Sequence, residues 1–166
     1  MSIPLATGNF FSAVFTAVAV TAAQDVFEIT APATRRVRIH DIRLGQYTDF
    51  GDAQAEILSV QVIRGYTVSG SGGSAPTPAN LISDSTRVAQ SSVEVNNTTV
   101  ANTGTAVTLI SDAWNVQAGA WIAPLGDRNA IIIGPSVRLV VRITAPADSL
   151  TMNGTLMFEE LYLPNI

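Results

Sequence analysis

The chain has 166 residues and a formal net charge of −4, from 9 basic and 13 acidic side chains, with no Cys and a single His, His40. That length suits one domain, spanning 1–166, with a core large enough to fold without disulfides or metals. The composition excludes a disulfide scaffold, a thiolate metal site, a cysteine nucleophile and a multi-histidine zinc site, and it offers no concentrated basic surface for nucleic acid.

Val, Ile and Thr number 17, 14 and 17, and such β-branched residues favour a pleated, half-buried surface. Period-2 alternation recurs along the chain, with no long stretch of helical periodicity. Strands are predicted over 9–21, 25–30, 35–47, 55–65, 87–95, 105–113, 119–124, 130–133, 136–145 and 150–162. Within 35–47 the apolar face changes parity, from Val37 and Ile39 to Ile42 and Leu44. One extra residue near His40-Asp41 restores the register, which predicts a β-bulge there.

Leu58, Val60 and Val62 share a face, as do Val137, Leu139, Val141 and Ile143. Leu150, Met152, Leu156 and Phe158 form another, with Gly154 in register between them. Turns are predicted at Ala31-Pro32-Ala33-Thr34, Asp49-Phe50-Gly51-Asp52, Asn102-Thr103-Gly104 and Gly126-Asp127-Arg128-Asn129. The pentapeptide Ile-Thr-Ala-Pro-Ala of the first of these returns at 143–147. Many short strands with frequent turns indicate an all-β, antiparallel β-sandwich. Strand number and length favour a jelly roll, with an immunoglobulin-like sandwich as the alternative.

Residues 66–80 are Gly/Ser-rich and then Pro-rich, a loop or an arm reaching a neighbouring subunit. The apolar stretch from Phe10 to Ala23 contains Ala17-Val18-Ala19, which looks like a cleavage site. No basic residue precedes Arg35, so no signal peptide is expected. The stretch is also too short and too polar to span a membrane. Both ends are expected to be ordered, as in a chain held inside an assembly.

The candidate chemistry is sparse. His40 and Asp41 alternate to opposite strand faces unless a bulge intervenes, and no nucleophile motif accompanies them. Asp49, Asp52 and Glu56 crowd one turn without the spacing of an EF-hand loop; whether they hold a cation stays open, and a plain turn is preferred. Glu159-Glu160 face opposite sides and read as a solvated strand end rather than an acid/base pair. Gly70-Ser71-Gly72-Gly73 lacks the Lys and helix of a phosphate loop. The Asn-x-Thr triplets at Asn96, Asn97 and Asn153 carry no weight without secretion. Trp114, Trp121, Tyr47, Tyr66 and Phe50 are candidates for a sugar-stacking platform, with core packing preferred for the two Trp. No catalytic residue, metal ligand or cofactor site is expected.

The charge pattern points elsewhere. Charged residues make up 13% of the chain, and all nine basic residues are Arg, with no Lys. Ordinary soluble domains carry about 25% charged residues. Lys is depleted at interfaces, while Arg is enriched there because its planar fork pairs and stacks. A surface covered by neighbouring subunits accounts for this; so does a compositional bias against Lys. Arg36, Arg38 and Arg43 on one strand, and Arg138 and Arg142 on another, form a single patch if those strands pair. Such a patch suits carboxylates of a partner protein better than nucleic acid.

Several runs carry a family resemblance: Arg35-Arg36-Val37-Arg38-Ile39-His40-Asp41-Ile42-Arg43-Leu44-Gly45, Gly51-Asp52-Ala53-Gln54-Ala55-Glu56 and Val60-Gln61-Val62-Ile63-Arg64-Gly65. The Gly/Ser-Pro-Thr-Pro segment and Ala147-Asp148-Ser149-Leu150-Thr151-Met152-Asn153-Gly154-Thr155-Leu156 add to it. Over most of 29–160 the chain resembles small β-rich structural proteins of tailed bacteriophages. The resemblance implies a jelly-roll virion component that decorates the capsid. It would bind other virion proteins, the major capsid protein first, as a homo-oligomer with a trimer as the first guess. It implies no catalytic residues, cofactor, nucleic acid or membrane. A tail or baseplate location, a carbohydrate-binding module and a small hydrolase are the alternatives.

Overall fold

The computed structural model describes residues 9–47, 56–123, 125–126 and 128–162. Its strands are β1 (Phe10–Val20), β2 (Gln24–Thr30), β3 (Arg35–Gln46), β4 (Ile57–Val68), β5 (Ala79–Asn80), β6 (Ser92–Asn97), β7 (Asn102–Asn115), β8 (Trp121–Ile122), β9 (Ile131–Ile133), β10 (Arg138–Ile143) and β11 (Leu150–Tyr162). The helical content among the described residues is one 3-10 turn, Val116–Ala118, capped by the Asn115 side chain accepting from the Gln117 N–H. No helix among the described residues is long and apolar enough to cross a membrane.

The strands form two antiparallel sheets. One has six strands in the order β5-β1-β11-β3-β8, with β9 also paired to β3; the other has five, β6-β2-β10-β4-β7. β1 pairs with β11, β2 with β10, β3 with β8 and β9, and β4 with β7. The first four long strands thus pair in reverse order with the last ones, and chain neighbours alternate between sheets except β6 with β7 and β8 with β9. This is the winding of a jelly roll, a long antiparallel ribbon rolled over a core. The order does not match the immunoglobulin-like alternative, whose sheets run ABED and CFG. β5 and β6 lie between β4 and β7 in sequence and add one strand to an edge of each sheet.

The predicted alternation places the core. Phe11, Ala13, Phe15, Val37, Ile39, Ile42, Leu44, Leu58, Val60, Val62, Leu139, Val141, Ile143, Leu150, Met152, Leu156 and Phe158 are all buried between the sheets. The bulge expected at His40-Asp41 is present: Met157 pairs with Asp41 and Phe158 with Ile39, so His40 is the extra residue. That single insertion keeps Ile39 and Ile42 on the same, inner face. A second bulge, between Phe15 and Val18, puts Ala17 at φ 52°, with its N–H donating to Asn153 Oδ1 at 2.7 Å.

Gly154 pairs with Phe15, and a Cβ there would sit 2.2 Å from the Phe15 ring and 2.9 Å from that of Phe27. The missing side chain makes the space in which those two rings meet, with centroids 5.2 Å apart.

Other expectations shift. The strand predicted over 55–65 runs on to Val68, because Tyr66 and Val68 pair with Gly104 and Asn102. The turn predicted at Asn102-Thr103-Gly104 is therefore the start of β7. Its left-handed residues remain, Thr103 at φ 60° and Gly104 at φ 90°. They bring the strand against Gly65 so closely that a Cβ on Gly104 would lie 2.5 Å from the Gly65 carbonyl oxygen. The turn at Gly126 is confirmed by the Asn129 N–H donating to the Gly126 carbonyl at 3.2 Å. The Asp49–Asp52 turn, Phe50 and the two chain ends at 1–8 and 163–166 lie outside the described residues.

Candidate interaction surface

The two outer faces of the sandwich differ. That of the five-stranded sheet is covered by the chain's own loops over β2 and β10, while Ile57 of β4 stays 71% exposed beside the exposed β7. Asp25, Glu28, Arg138 and Arg142 project there from β2 and β10. Arg142 binds Asp25 with two hydrogen bonds, at 2.6 and 3.1 Å, and donates to the Ala101 carbonyl at 2.8 Å. The Ala101 N–H donates to the same Asp25 carboxylate at 2.6 Å, and the Tyr66 ring lies 4.9 Å below the guanidinium. The hydrogen bond to Asp25 raises the pKa of Arg142, against the opposing effect of burial.

Arg138 lies 3.3 Å from Glu28, within ion-pair distance but not aligned for a hydrogen bond. Glu28 accepts from the Gly70 N–H at 2.9 Å, from Ser69 Oγ at 2.8 Å and from Asn97 Nδ2 at 2.8 Å. The first half of the segment read as an arm is thereby fixed against its own sheet. Backbone bridges from Ser71 to Thr99 and from Ser74 to Val95 hold it further. Its end forms β5, which pairs with β1.

Arg138 and Arg142 consequently do not join Arg36, Arg38 and Arg43 in one patch. β3 and β10 belong to different sheets, and the two β10 arginines are matched to carboxylates of their own fold. The alternating pattern shows that a residue faces outward; it does not show which sheet the strand joins or whether a loop covers it.

The outer face of the six-stranded sheet carries no such loop among the described residues. Its side chains fall in rows set by strand register. Phe10, Glu159, Arg38 and Ile132 form one row; Ser12, Met157 and Asp41 the next; Val14, Thr155, Arg43 and Ile122 a third; Leu161 and Arg36 lie at one end. Val14, Ile122 and Ile132 are 51%, 53% and 43% exposed, and Arg36 and Arg43 are exposed as well. Arg43 pairs with Asp41 at 2.5 Å. His40 does not meet Asp41: its Nε2 lies 3.1 Å from Glu159 Oε2, and its ring packs 5.3 Å from that of Phe10. Beside it a notch is lined by Arg38, Ile39, His40, Leu125, Gly126 and Ala130.

The remaining candidates have structural duties. Glu160 is not a solvated strand end. It is 1% exposed, pairs with Arg35 at 2.5 Å, and accepts from the Gln90 and Ser91 N–H groups at 2.7 Å each. It ties the 81–91 crossing to the sandwich, and nothing in the sequence pattern distinguishes it from Glu159. Glu56 accepts from the Ala147 N–H at 2.9 Å and the Asp148 N–H at 3.1 Å, closing the β10–β11 turn. It caps that turn, while Asp49 and Asp52, its companions in the cation reading, lie outside the described residues. Trp114 and Trp121 are 4% and 7% exposed. Their indole N–H groups donate to the Gly119 carbonyl and to Asp112. They are core residues, and the sugar platform does not form around them. Comparison of the chain with models of known protein families and with curated protein sequences finds no match.

Proposed function

We propose that the chain is a structural virion protein of a tailed phage, which decorates and reinforces the capsid through repeated protein–protein contacts after assembly in the host cytoplasm. The observation that carries this reading is the contrast between the two outer faces. One is lidded and internally neutralised over β2 and β10, with Ile57 exposed at its β4–β7 side. The other leaves Val14, Ile122 and Ile132 in solvent among three arginines. Aromatic, Met and Arg side chains without Lys are the composition of an interface rather than of a free surface.

The open face spans about four strands at roughly 4.8 Å spacing. That is on the order of 500 Å², below the roughly 800 Å² per partner of a standard stable interface. One such contact is weak. Many copies fixed by capsid symmetry bind firmly through effective concentration. The face carries Arg36, Arg38 and Arg43 against Asp41 and Glu159 in a chain of net charge −4, so its partner surface is apolar and mildly acidic. The major capsid protein is the first candidate partner, and a tail or baseplate component is the second.

The test is to purify virions and ask whether the chain is a stoichiometric component, then to titrate it onto particles lacking it. Saturable, cooperative binding is expected. A chain absent from virions and inert towards the particles would sink the reading.

A further inference from the structure

Every sheet has edges, and unpaired edge strands invite pairing with other chains unless they are short, covered, charged or interrupted by Pro. Among the described residues two of the four edges are managed and a third in part. On one edge β8 and β9 have two and three residues; on the other, β5 pairs only with Phe11 and Ser12 of β1, and residues 13–20 are interrupted by the bulge at Ala17. β6 is covered where Ser74 exchanges backbone hydrogen bonds with Val95, at 3.0 and 2.8 Å.

β7 is different. It has 14 residues, the sequence NTGTAVTLISDAWN, and β4 on one side only. It contains no Lys, Arg or Pro and a single charge, Asp112. Its one protective device is a pair of bulges. Leu109 is extra between the pairs Val62–Ile110 and Ile63–Thr108. Gly65 faces two residues, Thr105 and Ala106. These irregularities lie nearly symmetrically about Val107.

We propose that β7 is a self-pairing edge, which joins a second copy of this chain antiparallel across a two-fold axis at Val107. The strand is self-complementary in that register and in no parallel one. Leu109 then faces Thr105 of the second copy, so bulge meets bulge and the twist matches on both sides. Asp112 faces Asn102 of the second copy, so the two carboxylates lie at opposite ends of the pair. A parallel alignment would set Asp112 against Asp112. The product is one continuous ten-stranded sheet with a closed, isologous interface. This inference rests on the reading of the chain as an assembly subunit, and it adds dimeric contacts to any higher symmetry the capsid imposes.

The chain has no Cys, so a single introduced thiol reports the contact cleanly. Val107 is 41% exposed, and replacing it leaves the core intact. Directly opposed residues of an antiparallel pair lie about 4.5–5.5 Å apart at Cα, within disulfide reach. On air oxidation Val107→Cys is expected to give a disulfide-linked dimer at least tenfold faster than Val14→Cys on the open face. Val107→Lys, which brings two charges together at the axis, is expected to weaken the dimer seen by analytical ultracentrifugation at least tenfold with an unchanged circular dichroism spectrum. Equal cross-linking of the two Cys variants, or an oligomer indifferent to Val107→Lys, overturns the edge pairing. A monomeric chain that still binds particles also overturns it while leaving the capsid role standing. Loss of particle binding by the wild-type chain removes that role instead.

Discussion

Asp25 and Arg142 show what a buried charge demands. The Asp25 side chain has no exposed surface, while that of Arg142 keeps 20%. Removing the cation strands a desolvated carboxylate, which typically costs about 3–5 kcal/mol. Because Arg142 is partly solvated, the lower end applies, and Arg142→Ala is expected to lose about 3 kcal/mol in urea unfolding at pH 7. Replacing both, as Asp25→Leu with Arg142→Met, is expected to cost less than the single change. A double change that costs the sum of the two single changes would mean the pair is not coupled. Gly154 sets the opposite constraint. Its missing Cβ is the room the Phe15 and Phe27 rings occupy, so Gly154→Ala is expected to destabilise by about 1–3 kcal/mol through overpacking. An unchanged midpoint in a thermal melt would show that the rings yield freely.

At the scale of elements, alternation and turn residues carried most of the information. The parity change between Ile39 and Ile42 revealed the His40 bulge, because a strand with one buried face tolerates a slip only through an inserted residue. Pro32 and Pro146 marked their turns because Pro fixes φ and donates no hydrogen bond. Pairing between strands far apart in sequence was not legible. Arg138 and Arg142 have the same local pattern as Arg36 and Arg38, yet β10 joins β2 and β4, and the partners of those arginines are set by that topology. The burial of Glu160 was hidden for the same reason, since its partners come from the 81–91 crossing and from Arg35. That crossing contains Arg87, which donates to Asn9 Oδ1 at 2.8 Å. With Glu160→Gln the hydrogen bonds to a full charge become neutral ones, roughly halved in strength. Cleavage by trypsin after Arg87 is expected to accelerate on the order of tenfold, following the population of the opened crossing. An unchanged rate would show that Glu160 does not hold it.

For the whole molecule, the asymmetry of the two faces is the organising feature. Low charge and the absence of Lys were legible from composition; which surface they leave bare was not, because the covering loops of the five-stranded sheet come from β4–β5 and β6–β7. Val14→Glu combined with Ile132→Glu places two carboxylates on the open face without touching the core, since both side chains are about half exposed. The double variant is expected to fold with an unchanged melting temperature and to bind particles at least tenfold more weakly in co-sedimentation.

Near-atomic electron cryomicroscopy of the intact particle probes the arrangement as a whole. The predicted image has jelly rolls repeated by the shell's symmetry, with the rows of Phe10, Val14, Ile122 and Ile132 turned onto the shell and the lidded sheet facing solvent. Density in which that apolar face looks outward into water, with no neighbour against it, would contradict the account.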